Sequence, residues 1–256
     1  MAARSARRRI RRSFTLVEML VVVVIIGILA GLITGAAMIA MRSARKAVLK
    51  TELTDIETAL AACKEKFGDY PPDGTDPAAV TAFVKRAFPN SRSAVVPTMD
   101  PSTALVFWLG GRYDTTTGAF TGFSANPRDP FDASQSRLGP FYEFKKEQLV
   151  TAGSTAGFNL YRYMPNNGNS QSDPIVYFRA RANGTYTGAY GNCKPCLDTR
   201  SGTTAFADPT KYQIRSPGLD GKHGTGIQFP TGTDYDQYQY DDVASFSEKS
   251  LGDAIP

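Results

Sequence analysis

Apolar positions fall into three patterns along the 256 residues. The first is a near-continuous run over residues 14–41, 28 positions with a single charge, Glu18. As a helix it would extend about 42 Å, more than the ~30 Å hydrocarbon core of a bilayer. The second is a stripe. Leu49, Leu53, Ile56, Leu60, Cys63 and Phe67 recur at steps of four and three, with Lys50, Glu52, Asp55, Glu57, Lys64 and Glu65 between them. That spacing predicts the buried face of an amphipathic helix. No proline interrupts residues 14–67, so the two patterns predict one helix of about 54 residues, about 80 Å long. Gly68 offers its C-terminal cap, and Pro71-Pro72 forbid continuation.

The third pattern, after Pro72, is short and broken. Asp76-Pro77 predicts a helix over 76–88 that stops at Pro89. Asp100-Pro101 repeats the device over 100–109 and ends at Gly110-Gly111. The aromatic pair Phe107 and Trp108 reads as core rather than as a ligand platform. Strand-like runs follow at 141–144, 160–163, 175–179 and 211–215, separated by Gly, Asn, Pro and Ser. A long helix packed on a small antiparallel sheet is an α+β arrangement. The chain therefore divides into a basic leader (1–13), an apolar helix (14–41), its amphipathic continuation (42–67) and a loop-rich α+β domain (68–256). There is no internal repeat.

Charge sharpens this division. The formal net charge is +5, yet six of the 29 basic residues, all arginine, lie in the first thirteen positions, where no acid is found. Without them 23 basic residues face 24 acidic ones, so the body has no net basic charge with which to hold nucleic acid. An arginine tail before an apolar run marks the cytoplasmic side of a membrane segment. A cleaved secretory signal has a shorter apolar core, about 7–15 residues. Arg11-Arg12 admits a twin-arginine reading, against which the length of the run and Glu18 both count.

An acid in such a run costs roughly 2.5–3.5 kcal/mol even on lenient scales, so Glu18 asks for a counter-charge. The bland alternative is a carboxylate that reaches back to the lipid headgroups. Gly27, Gly31 and Gly35 share one helix face at a spacing that lets helix backbones approach closely in a membrane. Simple tolerance of glycine in membrane helices would also leave them there.

The stretch Ser13-Phe14-Thr15-Leu16-Val17-Glu18, between a basic leader and an apolar run, resembles the prepilin cleavage and methylation signature of type IV pilins and of the pseudopilins of type II secretion. The resemblance implies that a membrane peptidase cuts between Ser13 and Phe14 and methylates the new N-terminus. The family usually has glycine where Ser13 stands and often a proline near Gly35. It also implies that Glu18 pairs with the Phe14 amine of a neighbouring subunit, a register device for a homopolymer fibre. Losing one partner of a buried pair costs about 3–5 kcal/mol. Asp55 to Leu60 followed by Phe67-Gly68-Asp69-Tyr70-Pro71 is similar to the helix end of the major pseudopilins, which tilts the expectation towards a secretion pseudopilus. Against the simplest pseudopilins, segment 73–140 is long and reads as an inserted surface.

Ser216-Pro217-Gly218-Leu219-Asp220-Gly221 resembles the S-x-G-x-D-G loop that binds calcium in major pseudopilins. The implied ligand set is Ser216, Leu219, Asp220 and a downstream acid, Asp241 or Asp242. Calcium takes six to eight oxygens from such groups. The pair Cys193-Lys194-Pro195-Cys196 admits a zinc site, a redox motif or a local disulfide. Zinc lacks ligands, since His223 is the only histidine, and a Cys193–Cys196 disulfide is the expectation outside the cytoplasm. Cys63, on the stripe, reads as a buried thiol, and His223 as a surface loop residue. No catalytic constellation is evident, so the expectation is a non-enzymatic subunit. It would cross the inner membrane once, with its soluble domain on the periplasmic or extracytoplasmic side. Its partners would be prepilin peptidase, an inner-membrane assembly platform with its ATPase, and minor pseudopilins. The alternatives are a type IV pilus subunit and an anchored surface protein or enzyme that never polymerises.

Overall fold

The computed structural model describes residues 15–91, 96–132, 136–165, 171–200, 202 and 205–256. The expected long helix is present as α1, Leu16–Phe67, 52 residues without a break at Gly35. The chain separates into two compact units, Met1–Ala44 and Arg45–Pro256. In the first, every described residue is exposed, including a succession of Val, Ile and Leu. Each such side chain is worth about 1.5–3 kcal/mol when buried, so this face calls for lipid or protein around it.

In the second unit the sequence stripe is the buried stripe. Leu49, Leu53, Ile56, Leu60, Cys63 and Phe67 all lie in the main core. Gly68, at φ +83°, closes the helix by donating its N–H to the Lys64 carbonyl. Glu52 departs from the pattern. It is buried on the same face, where its Oε1 accepts Lys145 Nζ at 2.9 Å and lies 2.7 Å from the Tyr163 hydroxyl.

Segment 73–140 is not merely surface. It supplies α2 (Pro77–Ala87) and α3 (Ala104–Gly110). Asp76 caps α2 by accepting the N–H groups of Ala78 and Ala79. Val80, Phe83 and Val84 of α2 and the whole of α3, with Trp108 fully buried, join the main core. Two small antiparallel pairs follow, β1 (Tyr113–Asp114) with β2 (Ala119–Phe120), and β3 (Phe123–Ser124) with β4 (Arg137–Leu138).

The remaining strands are β5 (Leu149–Thr155), β6 (Phe158–Tyr163), β7 (Val176–Arg179), β8 (Leu197–Asp198), β9 (Ala205–Phe206), β10 (Tyr212–Ser216), β11 (Gln228–Phe229) and β12 (Val243–Ala244). Instead of one sheet there are several small ones. The hairpin β5–β6 is antiparallel, as is the sheet ordered β12–β10–β7, while β8 pairs β9 antiparallel and β11 in parallel. The expected strands at 160–163, 175–179 and 211–215 fall on β6, β7 and β10. The one expected at 141–144 does not form. Its aromatic rings pack half-buried against the main core instead, Phe141 edge-on to Phe67 and Phe144 edge-on to Tyr163.

Strand β10 has two unlike faces, both covered. Tyr212 and Ile214 face the main core with Tyr177 of β7 and Val243 of β12. The other face carries Gln213 and Arg215, which the alternation would leave in water. Both are fully buried, because the chain after residue 185 folds over them. Two further clusters form there, one around Val176, Phe178 and Cys193, the other around Cys196, Phe229, Ala244 and Leu251.

Candidate functional site

Two regions carry the expected chemistry. At the N-terminus, Ser13 and Phe14 lie outside the described residues. From Thr15 on the geometry is explicit. Glu18 Oε2 accepts the Thr15 N–H at 2.8 Å and the Thr15 hydroxyl at 2.9 Å, and the Glu18 N–H reaches Thr15 Oγ1 at 3.2 Å. This is a capping box, T-x-x-E, whose acid satisfies donors that open the helix. Within the single chain, then, Glu18 already has a task, which the sequence pattern Thr15-Leu16-Val17-Glu18 could have disclosed. A Cβ built on Gly27, Gly31 or Gly35 would meet nothing within 4 Å. Among the described residues no packing inside the chain accounts for these glycines.

The second region is the loop after β10. It doubles back at Gly218, where φ is +66° and a Cβ would collide with the Asp241 backbone. That approach brings the downstream acids onto the loop, and it separates them. Asp241 Oδ2 accepts the N–H groups of Leu219 at 2.7 Å and Asp220 at 3.0 Å. Asp220 Oδ1 takes the Lys222 N–H at 2.8 Å. Asp242 Oδ2 instead meets Arg215 Nη2 at 2.7 Å, with neither side chain exposed, and also accepts the Gly224 N–H at 3.2 Å. Burial raises the Asp242 carboxyl, and the Arg215 guanidinium pulls it back down.

The expected calcium ligands are therefore divided among different partners. Asp241 and Asp242 go to different partners, and the oxygen that Asp241 turns to the loop faces amide donors, not carbonyls. Among the described residues no three His, Cys, Asp or Glu side chains are arranged to hold a metal. Buried atoms without a hydrogen-bond partner include Ser216 Oγ, Asp241 Oδ1 and Asp242 Oδ1, but also Arg215 Nε. With a guanidinium in contact at 2.7 Å, Asp242 does not sit in the all-oxygen surroundings calcium takes.

The cysteines also depart from expectation. Cys63, Cys193 and Cys196 are all free and buried. No Cys193–Cys196 disulfide is formed, because the two side chains pack into different clusters, Cys193 against Val176 and Phe178, Cys196 against Phe229 and Leu251. The backbone between them is held from beneath. Gln213 bonds both the N–H and the carbonyl of Cys196, and Arg215 Nη1 reaches the Lys194 carbonyl at 2.9 Å. Burial pushes the Cys63 and Cys193 thiols up to about 12 and raises Cys196 as well, so none is a ready nucleophile. His223, read as a surface residue, is buried, with Nε2 2.8 Å from the Pro174 carbonyl.

Comparison with known families bears on the N-terminal region alone. Residues 8–34 match the family model described as the prokaryotic N-terminal methylation motif. No match was found among curated proteins or solved structures. The motif is that of type IV pilin-like chains, and with the apolar helix it supports membrane anchoring, processing by prepilin peptidase and polymerisation into a fibre.

Proposed function

We propose that this type IV pilin-like chain is a fibre subunit of a type II secretion pseudopilus, with a subunit of a type IV pilus as the alternative. Peptidase cuts ahead of Phe14 and the new N-terminus is methylated. The apolar segment over residues 14–41 then leaves the bilayer for the fibre core, lifted by an assembly platform and its ATPase. Gly27, Gly31 and Gly35 admit close helix contacts in that core. Glu18 is the register device: its carboxylate, buried among apolar neighbours, is neutralised by the Phe14 amine of an adjacent copy.

The observation that carries this reading is the match over residues 8–34, which takes in the exposed start of α1, where the apolar run to Met41 has Glu18 as its single acid. The likeness of residues 55–71 to the helix end of major pseudopilins favours secretion over a pilus.

The capping box makes the test specific. Glutamine serves at the third position of such a box as well as glutamate does. Glu18→Gln therefore preserves the helix start and removes only the charge. Expected outcomes are a membrane-extracted chain that begins at N-methylated Phe14 by mass spectrometry, and Glu18→Gln protein that stays in the membrane but does not form filaments. Wild-type filament yield from Glu18→Gln would refute the register role. An uncut chain that still carries the arginine leader would refute the processing. A host that loses its filaments but keeps secreting when the chain is deleted would favour the pilus reading.

A further inference from the structure

The resembling loops are closed by a bound cation. In this chain one of the two candidate acids, Asp242, already has a cationic partner, and that cation is covalently part of the protein. Arg215 is fully buried on the back face of β10, and its guanidinium touches two separate stretches of chain. Nη2 meets Asp242 at 2.7 Å, and Nη1 meets the Lys194 carbonyl at 2.9 Å. The same Asp242 oxygen receives the Gly224 N–H, and the Asp242 carbonyl receives the Leu251 N–H. One side chain thus ties the 193–196 turn, the 216–224 loop and the 241–251 segment to the central strand.

We propose that Arg215 is the built-in counter-ion of Asp242, holding the C-terminal loop closed without metal. Guanidinium suits the task. It keeps its charge at every relevant pH, and its planar fork presents donors in fixed directions to a carboxylate and a carbonyl at once. Lysine could offer only a single compact ammonium. A divalent ion placed beside a buried guanidinium would meet repulsion in a medium that screens poorly. The proposal concerns the second unit and stands whether or not the chain polymerises.

The test is thermal unfolding of the full-length protein in detergent, followed by circular dichroism, in excess chelator and in millimolar calcium. The expected wild-type midpoint is the same in both. Arg215→Met strands a buried carboxylate and should lower the midpoint by about 5–15 °C. Adding Asp242→Asn to Arg215→Met should recover part of that loss, since the stranded charge is gone. A wild-type midpoint that rises with calcium would overturn the proposal. So would an Arg215→Met chain as stable as wild type, or a double variant no better than the single one. If Arg215→Met fails to fold, the wild-type comparison decides alone.

Discussion

His223 shows how far one side chain can stray from its sequence context. Glycines flank it on both sides at short range, which reads as a surface loop, yet the imidazole is buried and its Nε2–H donates to the Pro174 carbonyl. Burial, and then the nearby Arg215 charge, depress its pKa from 6.5 to about 3. In the unfolded chain the ring takes a proton near 6.5, and in the folded chain it does not until far lower pH. Acid therefore favours unfolding through this group, with the stability it protects fully present above 6.5 and lost as pH falls towards 3. At pH 5 the loss from His223 alone is about 2 kcal/mol. Because it is the only histidine, proton NMR reads it directly. The expected ring resonances stay at their neutral position from pH 7 to 5 in the folded protein and titrate near 6.5 in denaturant. A folded-state midpoint near 6.5 would mean that the ring is open to water.

At the level of elements, legibility follows periodicity. The stripe from Leu49 to Phe67 is readable because a helix buries what its own spacing selects. The strand at β10 is readable as a strand, but the fate of Gln213 and Arg215 is not. Alternation tells which residues share a face and cannot tell that a later segment will cover the polar one. Strand β5 escapes the pattern because its Leu-Val-Thr-Ala-Gly-Ser-Thr run is mostly exposed and shows no alternation; its pairing with β6 imposes the conformation. The run at 141–144 misleads in the opposite sense, since four residues rich in aromatics satisfy a strand pattern but pack their rings half-buried against the main core. Glu52 is the element-level exception with a measurable weight. Its carboxylate joins α1 to Tyr163 of β6 and to Lys145 in the turn before β5. Glu52→Ala would leave the Lys145 ammonium and a buried hydroxyl with fewer partners. The expected loss is about 1–3 kcal/mol in denaturant unfolding, with no change in membrane insertion. An unaltered unfolding midpoint would show that the buried acid is idle.

Over the whole of the second unit, the three thiols lie one in each hydrophobic cluster. Cys63 is in the main core, Cys193 in the cluster behind β7, and Cys196 in the cluster behind β12. If the unit unfolds in one transition, all three become reactive together. The expected result with a chromogenic disulfide reagent is no reaction in buffer and three equivalents across a single denaturant midpoint. One equivalent would indicate a disulfide between Cys193 and Cys196, and staggered release would show that the small clusters open separately. The long apolar start of α1 is legible from hydropathy alone. The way the last third of the chain wraps the back of a three-stranded sheet is not, because those contacts join residues far apart in sequence.

The single tryptophan, Trp108, sits in the middle of this arrangement, with Phe83 and Phe107 edge-on at 4.9 and 5.0 Å. Sealed from solvent, its indole acts as an intrinsic optical probe whose emission belongs to the domain interior and to no part of the apolar anchor. The state of the folded head can therefore be followed by light in micelles, vesicles or intact filaments without attaching a dye.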